Sequence, residues 1–388
     1  MPTTLVDLTS AEVVADPYPH FEAERRQHPV AWHEETARWL TFDHASADAV
    51  LRDRRLGRLW RDKEPTTRFE PFNLLHRNQM MENEPPDHTR LRRLVAGAFA
   101  RGHVERLRPR VRELAATLLA EADPGDLDII GEYAEPLPVL VIAELLGVPS
   151  ELAPELRAWS QSIVRMYEPD VPQSVVDEAV VAADDFAGMV RAIAAERTTA
   201  PRSDLITDLV HAREGSAALS EDEVVASAVL LLNAGHEASV NVFGNGMVAM
   251  LRHGALPAPD ELVTCVEEML RYDSALQLFE RTATAEIPLG DVVVAPGEKV
   301  SVLLGSANRD ASVFADADVF LPGRDPNPHV SFGAGVHFCL GAPLARMELV
   351  ESLGYALAQL PGLGLVAEPE PRGTFVLRGY RSVRVGTQ

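Results

Sequence analysis

The run FGAGVHFCLGAPLARME, from Phe332 to Glu348, gathers the residues of this chain best placed to do chemistry. Gly333 and Gly335 precede a lone Cys339, and Gly341 opens a periodic apolar segment that reads as a helix. A cysteine just ahead of a helix start meets the positive end of the helix dipole and unpaired backbone N–H groups, and both favour the thiolate. Glycine is needed wherever backbone lies close against a flat ligand, because it carries no Cβ. A single cysteine is more often a buried, inert apolar residue. A turn of this make-up instead suits the presentation of one thiolate to a haem iron.

Three further groups have the right types at the right spacing. Asn233-Ala-Gly235-His-Glu237-Ala238-Ser239 lies inside a long apolar segment that starts at a capping box, Ser220 to Glu223, and closes at Arg252-His253-Gly254. At 1.5 Å per residue that helix spans roughly 48 Å, enough to cross a whole domain. Glycine inside it costs about 1 kcal/mol relative to alanine, so Gly235 needs a reason, either a packing contact or a functional kink. Glu268 and Arg271 stand three apart on one face of a predicted helix, among Val266, Met269 and Leu270. His88 and Arg92, four apart, share a face of the helix containing DHTRLRRL.

The Phe-x-x-Gly-x-His-x-Cys-x-Gly spacing of residues 332–341 resembles the haem-ligand loop of the cytochrome P450 family, and the likeness runs from Asp16-Pro-Tyr-Pro to Arg381. The resemblance implies that family's fold, mainly α with small β-sheets in a single large domain, residues 1–388. It implies haem b as cofactor, with Cys339 as axial ligand of its iron and with Phe332 and Gly235 in the haem-binding segments. His88, Arg92, Arg281 and His337 fall where the family holds the haem propionates, anions that need cationic or N–H partners when buried. Glu268 and Arg271 match a buried structural bridge behind the haem loop, with Arg324 as a third member. Glu237 takes the place of the acid that supports proton delivery.

Ala238 departs from the family, which has threonine there. Activating dioxygen requires protons at the reacting oxygen, and alanine supplies no hydroxyl. Ser239 lies about 100° further round the helix and is expected to point elsewhere. The Glu-Ala-Ser run resembles macrolide-hydroxylating members, which implies that a hydroxyl or carbonyl of the substrate holds the missing water. The rival is poor oxygen activation, or use of peroxide. Ala275 replaces a usual proline, and the chain from His253 to Glu261 is short for the family.

Composition bounds the rest. The chain has 388 residues, more than the ~250–300 that one core usually supports, so either two domains or one built around a cofactor is expected. No apolar run approaches the ~18–20 residues of a membrane span, and the start lacks a signal pattern, so a cytoplasmic protein is expected. A net charge of −22 argues against nucleic acid and anionic membrane as partners. The two cysteines cannot build a multi-cysteine zinc site, and Cys265 reads as core. Arg90, Arg93, Arg101, Arg106, Arg108 and Arg110 form a basic cluster, which is either a solvated face or a docking patch for an acidic electron carrier. The resemblance implies a ferredoxin, since the chain has no flavin or iron–sulfur motif.

To position these groups the sequence offers helices near 15–28, 44–53, 86–100, 103–122, 126–146, 149–168, 172–197 and 203–213. Strand pairs are expected at 29–34 with 37–42, after 275, and near 374–385. Residues 54–83 read as a long loop, with Phe69, Phe72, Leu74 and Met80 favouring a binding lid. The expected activity is a haem-thiolate monooxygenase that hydroxylates or epoxidises a secondary-metabolite scaffold, polyketide or macrolide first, using dioxygen and ferredoxin electrons. Phenol or aryl coupling, peroxide-driven oxidation and a non-catalytic haem-binding module are the alternatives. Substrate contacts are expected from 69–82, 159–172, Asn233 with Ala234, Leu278–Glu280 and Phe375–Leu377, with Glu280 either ion-paired to Arg281, the favoured reading, or meeting a substrate amine or hydroxyl.

Overall fold

The computed structural model describes residues 1–99, 103–120, 122–168 and 171–387. Its helices are α1 Ala11–Ala15, α2 Tyr18–Gln27, α3 His44–Arg52, α4 Thr66–Arg77, α5 Asp87–Phe99, α6 His103–Ala120 and α7 Pro136–Leu146. They continue with α8 Ala153–Val164, α9 Gln173–Thr199, α10 Leu205–His211, α11 Glu221–His253, α12 Leu262–Tyr272, α13 Leu304–Ala307 and α14 Ala342–Gln359. No helix among the described residues is long and apolar enough to cross a membrane.

The axle is α11. Ser220 and Glu223 close the capping box reciprocally at its start, and Gly254 ends it at φ 60°. Between Val224 and Met250 its residues are buried except Ala234, Gly235 and Ala238. Helices α4, α7, α8, α9, α12 and α14 pack around it. Close approach is set by glycine: a Cβ on Gly246 would lie 2.3 Å from Met269 Cγ of α12.

Beside the helices lies a six-stranded sheet in the order Thr3–Thr4, Val30–His33, Arg38–Thr41, Lys299–Leu303, Leu278–Ala283, Leu56–Gly57. Leu278–Ala283 runs antiparallel to Lys299–Leu303, with Arg281 opposite Val300. Small sheets elsewhere tie the chain ends to the helices, such as Arg384–Thr387 between Leu363–Leu365 and Leu127–Asp128.

Several expected elements differ. The loop expected at 54–83 contains α4, whose Phe69, Phe72, Leu75 and His76 bury one face. Pro71 and the interleaved charges obscured that periodicity. The helix expected over 126–146 begins as the strand Leu127–Asp128 and a π-turn, Ile129–Ala134, because Pro136 starts a fresh helix. The one expected over 149–168 is a turn, α8 and a second turn, Arg165–Tyr167, and the one over 15–28 splits at Asp16-Pro17.

Candidate active site

Cys339 sits in a loop folded back on itself, its N–H donating to the Phe332 carbonyl at 2.9 Å. Gly333 and Gly335 both take φ 67°, which L-residues rarely adopt. A Cβ on Gly335 would stand 2.5 Å from the Leu51 carbonyl of α3, so this glycine lets the loop lie against that helix. Phe332 is partly buried beneath the Arg346 guanidinium, 4.5 Å away. Apolar surroundings push the Cys339 thiol up, while the N–H groups of Gly341 and Ala342 and the charge of Arg92 pull it down. The helix start thus favours the thiolate as the sequence suggests, and burial opposes it. A thiolate here calls for a cation of its own, which haem iron supplies.

The four expected propionate partners are not scattered. The His88 and His337 rings lie 4.5 Å apart. Arg92 donates to the Phe338 carbonyl at 2.7 Å, beside Cys339. His337 Nε2 meets Glu84 Oε1 at 2.7 Å, and Glu84 also accepts the Arg58 N–H. Against burial, these contacts hold Glu84 below the ordinary carboxylate value. His88 is drawn down to about 4 by burial first and then by the charges of His337 and Arg92. Its Nε2 is buried with no partner among the described residues. Arg281 is buried against Phe279, 4.4 Å from the ring, with no carboxylate partner among the described residues. Burial and then the like charge of Arg58 weigh against its guanidinium. The charges of Glu84 and Glu82 offset part of this, and a directly bound anion would offset more.

The opposite wall is the middle of α11. The helix runs unbroken through Gly235. The reason for that glycine is packing: a Cβ there would meet Ile142 Cδ1 of α7 at 3.0 Å. Ala234, Gly235 and Ala238 form the one stretch of this buried span that keeps exposed surface, as a wall against a flat group requires. Glu237 Oε2 accepts from Arg372 Nη1 at 2.6 Å, while Oε1 has no hydrogen-bond partner among the described residues and lies 3.8 Å from His236 Nδ1.

Sequence reasoning missed two residues here. Arg372 lies in a loop with no pattern to mark it. Glu348, one of the acids of α14, is 4 % exposed, with the Ser239 hydroxyl near enough to favour its charged form. Burial pushes its carboxyl up to about 8. Ser239 thus does not point idly aside: it lies where the helix led by Cys339 meets the wall that carries Ala238. An acid between Met347 and Leu349 was the available signal.

Behind the loop, Glu268 accepts two 2.8 Å bonds from Arg271, both side chains fully buried. Arg324 Nε adds two more, at 3.1 and 3.0 Å, and Asn327 a fifth. Arg271 also donates to the carbonyls of Asn308 and Ala317, pinning the chain that leads to Cys339. Glu280 does not pair with Arg281. Successive strand residues point to opposite faces, and Glu280 binds Arg38 and Lys299 at 2.7 Å each. Much of the basic cluster is paired within the chain, as Arg90 with Glu223, Arg93 with Glu214, Arg108 with Glu351 and Arg110 with Glu144. Arg101 lies outside the described residues.

These features fit haem: a loop that lets backbone approach, a cysteine needing a cation, cations needing an anion, and a small-residue wall opposite. The comparisons agree. A model of the family described as Cytochrome P450 matches residues 262–358. The chain is 35 % identical over 400 aligned residues to 6-deoxyerythronolide B hydroxylase of Saccharopolyspora erythraea, covering 97 % of each. It is 36 % identical over 371 residues to cytochrome P450 monooxygenase PikC of Streptomyces venezuelae, covering 92 % of this chain and 87 % of that one. Its fold matches P450BioI, solved in complex with hexadec-9Z-enoic acid ligated acyl carrier protein, at TM-score 0.92 and 32 % identity, over 97 % of this chain and 99 % of that one. Likeness of this extent runs through helices, sheets and cysteine loop alike, and the chain belongs to the cytochrome P450 family of haem-iron monooxygenases.

Proposed function

We propose that this P450 hydroxylates or epoxidises a polyketide or macrolide scaffold, with electrons from a ferredoxin. The observation that carries this reading is Ala238 set between Glu237, which Arg372 holds at 2.6 Å, and Ser239, which lies by the buried Glu348 of the cysteine-led helix. The relatives named for 6-deoxyerythronolide B and PikC support the substrate class. Haem bound through Cys339 supplies dioxygen activation. His88, Arg92, Arg281 and His337 hold its propionates. Glu348, held protonated by burial, keeps a proton at its carboxyl close to Ser239. Glu237, tied to Arg372, orders polar groups near Ala238. With no hydroxyl at 238, a substrate hydroxyl or carbonyl completes the path from Ser239.

A Soret-shift binding screen over macrolactones, free fatty acids and phenolic scaffolds tests the substrate class. A macrolactone should bind and gain one oxygen when reduced ferredoxin is supplied. Binding confined to fatty acids or phenols would rule the reading out. Ala238→Thr should change coupling of electron use to product about twofold or less, whereas deleting the substrate hydroxyl should lower it about tenfold or more. Equal coupling with and without that hydroxyl would refute substrate assistance. The missing hydroxyl at 238 also favours peroxide-driven oxidation as a second reading, recognised by turnover with peroxide that exceeds turnover with ferredoxin.

A further inference from the structure

We infer that Glu168 is a specificity-determining positioning residue: its carboxylate fastens the Arg165–Glu168 turn onto the backbone N–H groups of Phe375, Val376 and Leu377, and so sets which ligands reach the haem site. This rests on the proposed P450 reading, in which residues 159–172 and Phe375–Leu377 are expected to contact substrate. Glu168 Oε2 accepts from the N–H groups of Phe375 and Val376 at 3.2 Å each, and Oε1 from that of Leu377 at 3.0 Å. Three successive N–H groups on one carboxylate form an anion-binding nest. Glu168 has no ion-pair partner among the described residues, so amide dipoles alone hold its charge. The 375–377 turn is itself anchored elsewhere: Thr374 Oγ1 donates to the Leu377 carbonyl at 2.6 Å, and Gln277 N–H to the Val376 carbonyl at 2.9 Å. The nest is thus a fixed socket, and Glu168 the part that can leave it.

The residue before it makes a second fastening, to α4. His76 is stacked between Phe72, at 4.1 Å, and Trp60, at 4.5 Å, and burial holds it down at about 4, hence neutral. Its Nδ1–H is used on the Phe72 carbonyl at 2.8 Å, which leaves Nε2 to accept from the Tyr167 hydroxyl at 3.2 Å. One short turn therefore bridges α4 and the 375–377 turn, elements that are otherwise separate walls. Charge-assisted bonds of this kind are strong yet local. Losing them frees the turn without unpacking the core.

The test uses the full-length haem-loaded protein and two variants, Glu168→Ala and Tyr167→Phe. Hydrogen exchange should speed up about tenfold at the amides of Phe375, Val376 and Leu377 in Glu168→Ala, with thermal stability nearly unchanged. Association of a bulky azole with the haem should become about fivefold faster in both variants, while imidazole, small enough to pass either way, associates as before. Unchanged exchange would overturn the fastening. Faster exchange with unchanged azole rates would overturn its control of access. Should Glu168→Ala fail to fold, unchanged azole association in Tyr167→Phe overturns the proposal. Failure of every macrolactone to bind wild type and variants alike would instead count against the substrate reading.

Discussion

Cys339 and Glu348 stand on the same stretch of chain and pose opposite electrostatic problems. Burial raises both acids; on the proposed reading haem iron would relieve the cysteine, whereas the carboxyl is relieved by keeping its proton. Cys339→Ser should therefore abolish the thiolate-type carbon monoxide difference spectrum of the reduced protein, and an unaltered spectrum would end the assignment. Glu348 gives a pH signature. Its folded value of about 8, against 4.5 ordinarily, means the folded chain binds this proton more tightly than the unfolded chain. The stability it contributes is complete below about 4.5 and falls as pH rises through 8, by at most about 1.4 kcal/mol per pH unit. Glu348→Gln should flatten that slope in urea titrations over this range, and an identical slope would show that the carboxyl is not held protonated. Cys339 was legible because its neighbours in sequence are also its neighbours in space. Glu348 was not, because elements distant in sequence, α6, α11 and α12, pack on its helix.

At the scale of elements, α12 carries the strongest contrast. Glu268 is buried beneath two guanidinium groups, so Glu268→Ala strands both and should destabilise by about 3–5 kcal/mol, with loss of bound haem. The exposed pair Arg252–Glu368 offers the comparison: Glu368→Gln should shift stability by under about 0.5 kcal/mol. Equal effects in urea unfolding would contradict the burial argument. Glycines divide the same way. Gly246→Ala drives a methyl into Met269, 2.3 Å away, and should cost about 1–3 kcal/mol. Gly188→Ala on α9 meets nothing within 4 Å and should stabilise by up to about 1 kcal/mol. The Glu268–Arg271 pair and the α11 capping box were readable because residues three apart on a helix meet whatever surrounds them. Helix α4 was not, since Pro71 and the charges beside it masked the apolar face.

Across the whole molecule the two ends of the chain meet. Arg378 donates to the carbonyls of Val14 and Ala15 and to Asp273, which also accepts from the Tyr18 hydroxyl at 2.6 Å. Arg378→Ala should cost about 3–5 kcal/mol by stranding Asp273, and should speed hydrogen exchange in α1 and α2 together. Exchange faster at the C-terminal end alone would show that the ends are not coupled. The sequence by itself determined the family, the cysteine loop proposed to hold haem and the buried acid–arginine pair, because each is written in residues within a turn or two of one another. Only the tertiary structure decided that Arg372 holds Glu237, that Glu280 turns to Arg38 and Lys299, and that Glu348 is buried near Ser239. Those partners lie too far apart along the chain for spacing to reveal them. Which face of a helix or strand matters is fixed only when the neighbouring element is packed against it.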